Sequence, residues 1–153
     1  MLLCKLDDGQ FKISVKEESN DIDINISPLY LQIFLLRSIV YIVSNIEEAQ
    51  VKLGLLRSLS YIIKNTNDYY IQYMLREVDS ETLVLFLEYM DNNDLIGTIT
   101  QNCSMTASEI LLDDLESYKR NSSITLENKV KKGQEAMANV TDVLMDVLSE
   151  HGE

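Results

Sequence analysis

Residues 126–147 read LENKVKKGQEAMANVTDVLMDV, and apolar side chains recur through this stretch at alternating four- and three-residue steps. The repeating positions are Leu126, Val130, Met137, Val140, Leu144 and Val147. This spacing is typical of a helix that lies along another helix. Gly133 falls on the same stripe, where glycine costs roughly 1 kcal/mol of helix propensity but lets a neighbouring backbone approach closely. Val143 and Leu148 widen the stripe, which favours packing into a bundle or groove over a simple self-pairing coiled coil.

These six apolar side chains form the first candidate partner-binding surface. The helix could pack on its own body, on a second copy of the chain or on a different protein, and the sequence leaves all three open. A second candidate is the aromatic concentration at Tyr69, Tyr70 and Tyr73. Tyrosine combines apolar area with a polar tip, so it suits a surface that is sometimes covered. Burial of these tyrosines in the core is the alternative.

The first 26 residues alternate apolar and polar side chains, which predicts half-buried strands. The Asp8-Gly9 pair supplies the backbone conformation that a tight hairpin needs, and the polar segment 17–21 predicts a second turn. We therefore expect an α+β fold, predominantly α. It would comprise a short N-terminal antiparallel β-meander, a helical bundle and a long C-terminal amphipathic helix.

Helix signals follow at Ser27-Pro28, where a capping hydroxyl precedes a proline at the first helical position. The apolar content of residues 28–44 predicts the central, most enclosed helix of the fold. Further helices are predicted over 46–64, 69–76, from Ser80 to about residue 90, and from a Thr106–Glu109 capping box to about residue 119. For residues 94–101 a helical turn and a strand both remain open.

The polar break at residues 120–123 divides the chain softly into a compact body, residues 1–101, and a helical C-terminal arm, residues 102–153, which could dock on the body. If the arm serves only to bind, removal of residues 122–153 should leave a folded body.

Composition limits the partners. The net charge is −12 and the pI is near 4.4, so phosphate backbones and anionic lipids should be repelled. We therefore expect no direct nucleic-acid binding. We also expect no membrane contact, because the apolar run at 29–43 is shorter than a spanning helix and is interpreted as buried core. The N-terminus lacks a secretory signal pattern, which predicts a cytoplasmic protein, in the host cytoplasm if it is viral.

The sequence contains few candidate catalytic or metal-binding residues. His151 is the only histidine and is expected to be an exposed terminal residue, while Cys4 and Cys103 are expected to be small core side chains. A catalytic triad or a three-histidine metal site cannot be assembled from one imidazole. We therefore predict no catalytic residues, no metal or cofactor site, and no small-molecule substrate.

The sequence best fits a non-catalytic protein-interaction protein, such as an adaptor, assembly factor or chaperone-like protein. Two alternatives remain open. One is a subunit of a larger assembly, with a viral assembly as the example, since frequent Ile and Asn suggest an AT-rich genome. The other is an acidic inhibitor that imitates nucleic acid.

Overall fold

The computed structural model describes residues 2–16, 18 and 20–152. It confirms the predicted class, because a three-stranded antiparallel sheet is followed by seven helices and the chain is 71% helical. The strands are β1 (Leu2–Lys5), β2 (Phe11–Lys16) and β3 (Asp21–Ile26). The helices are α1 (Pro28–Asn45), α2 (Ala49–Lys64), α3 (Asp68–Glu77), α4 (Ser80–Met90), α5 (Asn93–Gln101), α6 (Met105–Arg120) and α7 (Leu126–His151).

The sheet has the order β1-β2-β3, and its first turn forms as predicted. Gly9 adopts φ 85°, a conformation that glycine tolerates, and the Leu6 N–H donates to the Gln10 carbonyl over 2.8 Å. Of the second predicted turn, Glu17 and Ser19 lie outside the described residues. The expectation of half-buried strands was wrong for β1 and most of β3, whose residues are largely exposed.

Helix α7, rather than α1, occupies the centre of the fold. It packs against α4, α1 and α3, and its buried side chains include Met137, Val140 and Leu144. The prediction that α1 would be the most enclosed helix was wrong. Although α1 is long and apolar enough by length and composition to cross a membrane, only 22% of its residues are buried. Apolar content alone therefore does not identify the central helix of this fold.

Helix α7 approaches α4 closely at Gly133. A Cβ atom placed on Gly133 would lie 2.5 Å from the Tyr89 Cβ, a distance that real side chains do not reach. The two backbones are therefore closer here than any residue other than glycine allows. This is the close approach that the sequence position of Gly133 predicts.

Several helix boundaries differ from prediction for identifiable reasons. Helix α2 begins at Ala49, so Glu47 and Glu48 precede its first turn. Helix α6 is capped by Ser104, whose hydroxyl accepts from the Ala107 N–H, and the predicted Thr106–Glu109 capping box lies inside the helix. Residues 94–101 form most of helix α5, capped by Asn92, so a strand there is wrong.

Candidate protein-binding surfaces

The three predicted tyrosines lie together on α3. Asn67 caps this helix by accepting from the Tyr69 N–H, so the polar turn before α3 fixes where the aromatic run begins. The Tyr69 ring meets the Tyr70 ring edge-on at 5.4 Å between centroids and the Tyr73 ring at 4.9 Å. Tyr69 is 51% exposed, and its two neighbours are half-buried. The alternative of fully buried core tyrosines therefore does not describe this cluster.

Two basic side chains extend the cluster, and sequence inspection did not select either one for it. The Arg76 guanidinium lies 5.2 Å from the centroid of the Tyr73 ring, and the His151 ring stacks on Tyr73 at 4.4 Å. The spacing of Tyr73 and Arg76, three residues apart on one helix, could have indicated the first contact. The second joins α3 to the end of α7 and needs the tertiary fold. His151 is exposed, as expected, and its ring is held against Tyr73.

A cleft of about 500 Å³ opens beside these rings. Tyr69, Tyr70 and His151 line it on one side, and the first turn of α1 contributes residues on the other. The remaining lining residues are Pro28, Leu29, Gln32 and Leu148. The cleft therefore lies where α1, α3 and the end of α7 meet, and its lining combines aromatic, aliphatic and polar side chains. Such a composition suits a side chain from another protein.

The tyrosine hydroxyls of the cluster make only long hydrogen bonds. The Tyr69 hydroxyl donates to the Tyr73 hydroxyl over 3.5 Å, and this hydrogen bond raises the pKa of Tyr69 above its usual value. The Tyr70 hydroxyl donates to the His151 carbonyl, also over 3.5 Å. Because both contacts are long, these hydroxyls can exchange them for a partner's acceptor at small cost.

The C-terminal stripe is divided between core and surface. Met137, Val140, Leu144 and Val147 are buried in the fold, whereas Leu126 and Val130 are 78% and 42% exposed. The two exposed residues belong to the first turns of α7, before its contact with Tyr89 at Gly133. Only this end of the predicted surface is accessible to another molecule.

Groups capable of catalysis or metal binding are dispersed. In the part of the chain that the structure describes, no group of three or more His, Cys, Asp or Glu side chains is placed to hold a metal ion. Both thiols are free, with Cys4 exposed and Cys103 half-buried, so the prediction of two core cysteines was wrong for Cys4. Partial burial raises the pKa of the Cys103 thiol, which makes it a poor nucleophile.

Part of this chain matches the model of a known protein family. Residues 59–151 match the FliG C-terminal domain, a range that includes the end of α2 and all of α3 to α7. The tyrosine cluster and the central helix lie within the match, whereas the sheet and α1 lie outside it. No curated protein matches the chain.

Proposed function

Because this chain belongs to the FliG C-terminal domain family, we propose that it binds another component of a flagellar motor through its tyrosine cluster. The family is a non-catalytic domain of the motor switch that works through protein–protein interactions. The assembly role predicted from the sequence is consistent with that membership. A position at the cytoplasmic side of the basal body is part of the proposal.

The observation that carries the proposed site is the stack of Arg76, Tyr73 and His151, in which His151 also lines the cleft. Tyrosine and arginine are the side chains that most often dominate binding energy at protein interfaces. In a chain of net charge −12, a guanidinium and an imidazole next to an apolar cleft favour a partner segment with an acidic and an aromatic or aliphatic side chain.

A second contact is proposed at the start of α7, where Leu126 and Val130 are exposed. Val130 lines a shallow cleft of about 460 Å³ together with Glu127, Lys131 and Gln134. The four buried residues of the stripe would act only by holding α7 in place. Binding through the whole stripe would require α7 to leave the core, which makes that part of the original prediction the least favoured.

Family membership gives no support to the chaperone-like or viral alternatives, nor to an inhibitor that imitates nucleic acid. Coiled-coil pairing of α7 likewise lacks support, because its stripe is occupied by α1, α3 and α4.

The test is calorimetric titration of the full chain with purified switch and stator proteins from the same organism. The variants Tyr69→Ser and Arg76→Glu should each weaken binding about tenfold or more, as expected for residues that dominate an interface. Tyr61→Ser is the matched control, because Tyr61 is 69% exposed on α2, away from the cluster. If both cluster variants bind like the unchanged chain while Leu126→Ser weakens binding, the interface lies at the start of α7 instead.

A further inference from the structure

Helix α1 presents an aromatic stripe to solvent. Tyr30, Phe34 and Tyr41 are 65%, 47% and 70% exposed, and Arg37 lies between them. These positions follow steps of four, three and four residues, which places them along one side of a helix. The side chains that α1 packs into the core fall on the other side, and they include Leu36, Ile39 and Val43.

A second set of apolar side chains lies between α1 and α2. A cleft of about 510 Å³ between the two helices is lined by Leu35, Leu55, Tyr61 and Ile62, with Arg57 among them. Isolated exposed apolar side chains are ordinary, but a contiguous set on neighbouring helices marks an interaction site. This surface lies mainly outside residues 59–151, so family membership does not account for it.

Charge is distributed unequally between this surface and the rest of the chain. Helices α1 and α2 carry four basic side chains, Arg37, Lys52, Arg57 and Lys64, and no acidic ones. The rest of the chain is therefore at −16, four units below the total of −12. Lys64 pairs with Asp94 over 3.4 Å, and Glu47 and Glu48 lie in the connection between the helices. The other three basic side chains carry no ion pair among the described residues, so this surface favours an anionic partner.

We propose that the aromatic stripe of α1, with the basic side chains of α1 and α2, binds the surface of an anionic membrane. The expectation of no membrane contact rested on the net charge and on burial of α1, and one side of α1 is exposed. Helices that lie in the plane of a membrane surface have a similar composition. Their aromatic and aliphatic side chains face the acyl chains, and their basic side chains lie at the headgroups. Arg37 can extend its guanidinium to the headgroups while its stem stays among the rings. This inference goes beyond the proposed function and does not depend on it.

Binding in the plane fits the packing better than crossing the bilayer does. Residues on the core side of α1 contact α2 and α7, so a spanning α1 would have to abandon them. Acidic side chains elsewhere repel the lipid, but salt screens charges that lie more than about 8 Å away at physiological ionic strength. The aromatic stripe and three basic side chains must therefore supply the attraction.

The test is flotation of the full chain with vesicles of phosphatidylcholine alone or with one third phosphatidylglycerol. The unchanged chain should bind the anionic vesicles and bind the neutral ones at least about fivefold more weakly. The variant Tyr30→Ser/Phe34→Ser/Tyr41→Ser should lose roughly tenfold or more of the binding, since three apolar side chains no longer enter the interface. Arg37→Gln/Arg57→Gln should bind anionic vesicles several-fold more weakly and neutral ones unchanged.

The matched control is Met105→Ser/Ile110→Ser/Leu112→Ser, which removes three exposed apolar side chains from α6. This variant should bind vesicles like the unchanged chain. Absence of vesicle binding by the unchanged chain overturns the proposal, as does equal loss in the aromatic and control variants. Light scattering distinguishes a second occupant of the stripe. If the unchanged chain does not bind vesicles and is a dimer in solution, whereas the Tyr30→Ser/Phe34→Ser/Tyr41→Ser variant is a monomer, the stripe pairs two copies of the chain instead.

Discussion

Replacement of Gly133 by alanine tests the close packing of α7 against α4. The new Cβ would lie 2.5 Å from the Tyr89 Cβ and 2.8 Å from Cγ and Cδ2 of the same ring. Rotation of Tyr89 cannot relieve the first contact, because its Cβ is fixed to the backbone of α4. The two helices must therefore separate by about 1 Å, and overpacking of this kind costs typically about 1–3 kcal/mol. Alanine recovers about 1 kcal/mol of helix propensity, so we expect a net loss of about 1–2 kcal/mol.

Gly54→Ala supplies a matched control, since Gly54 is exposed within α2 and a Cβ there meets nothing within 4 Å. This control gains the same helix propensity without the clash, so it should be more stable than the unchanged chain by up to about 1 kcal/mol. Urea denaturation followed by circular dichroism gives both differences, with unchanged m-values if the denatured state is unaffected. If Gly133→Ala is as stable as Gly54→Ala, α4 and α7 do not approach each other as closely as the structure describes.

Three further predictions concern stability. Deletion of residues 122–153 removes nine buried residues of α7, so the remaining chain should lose its cooperative thermal transition. Tyr118→Phe should change the free energy of unfolding in urea by less than about 1 kcal/mol, because the buried Tyr118 hydroxyl has no hydrogen-bond partner in the structure. Hydrogen bonds from Thr82 hold the pKa of Asp79 below its usual value. The ionised cap therefore stabilises the fold above the ordinary carboxyl pKa and loses this effect as pH falls, so Asp79→Asn should flatten the decline of melting temperature in acid.

Local sequence signals located the elements of this fold well. Proline after Ser27 marked the start of α1, and Asp8-Gly9 marked the first hairpin, because these residues restrict the backbone wherever they occur. Boundaries failed where two signals competed. Ser104 and Thr106 can both cap a helix, and the structure uses the first one, which adds the turn that contains Met105.

What the sequence could not decide was which molecule covers each apolar face. The stripes of α1 and α7 both predict burial, and a periodic pattern carries no information about the partner that buries it. Gly133 was the one local indication that α7 packs in the core, since a glycine on the apolar stripe marks a place where another backbone comes close. The contact of Tyr73 with His151 likewise joins residues 78 positions apart, so only the tertiary fold could bring His151 to the candidate site.

The assignment of α7 to the core limits where this chain can bind. An apolar stripe satisfied by α1, α3 and α4 is unavailable to a partner unless the fold opens, and opening would expose the nine buried residues of α7 together. Binding that leaves the fold intact must use surfaces that remain exposed, such as the tyrosine cluster and the start of α7 within the family match, or the aromatic stripe of α1 outside it. Because these surfaces share no residue, substitutions in one should leave binding through the others unchanged.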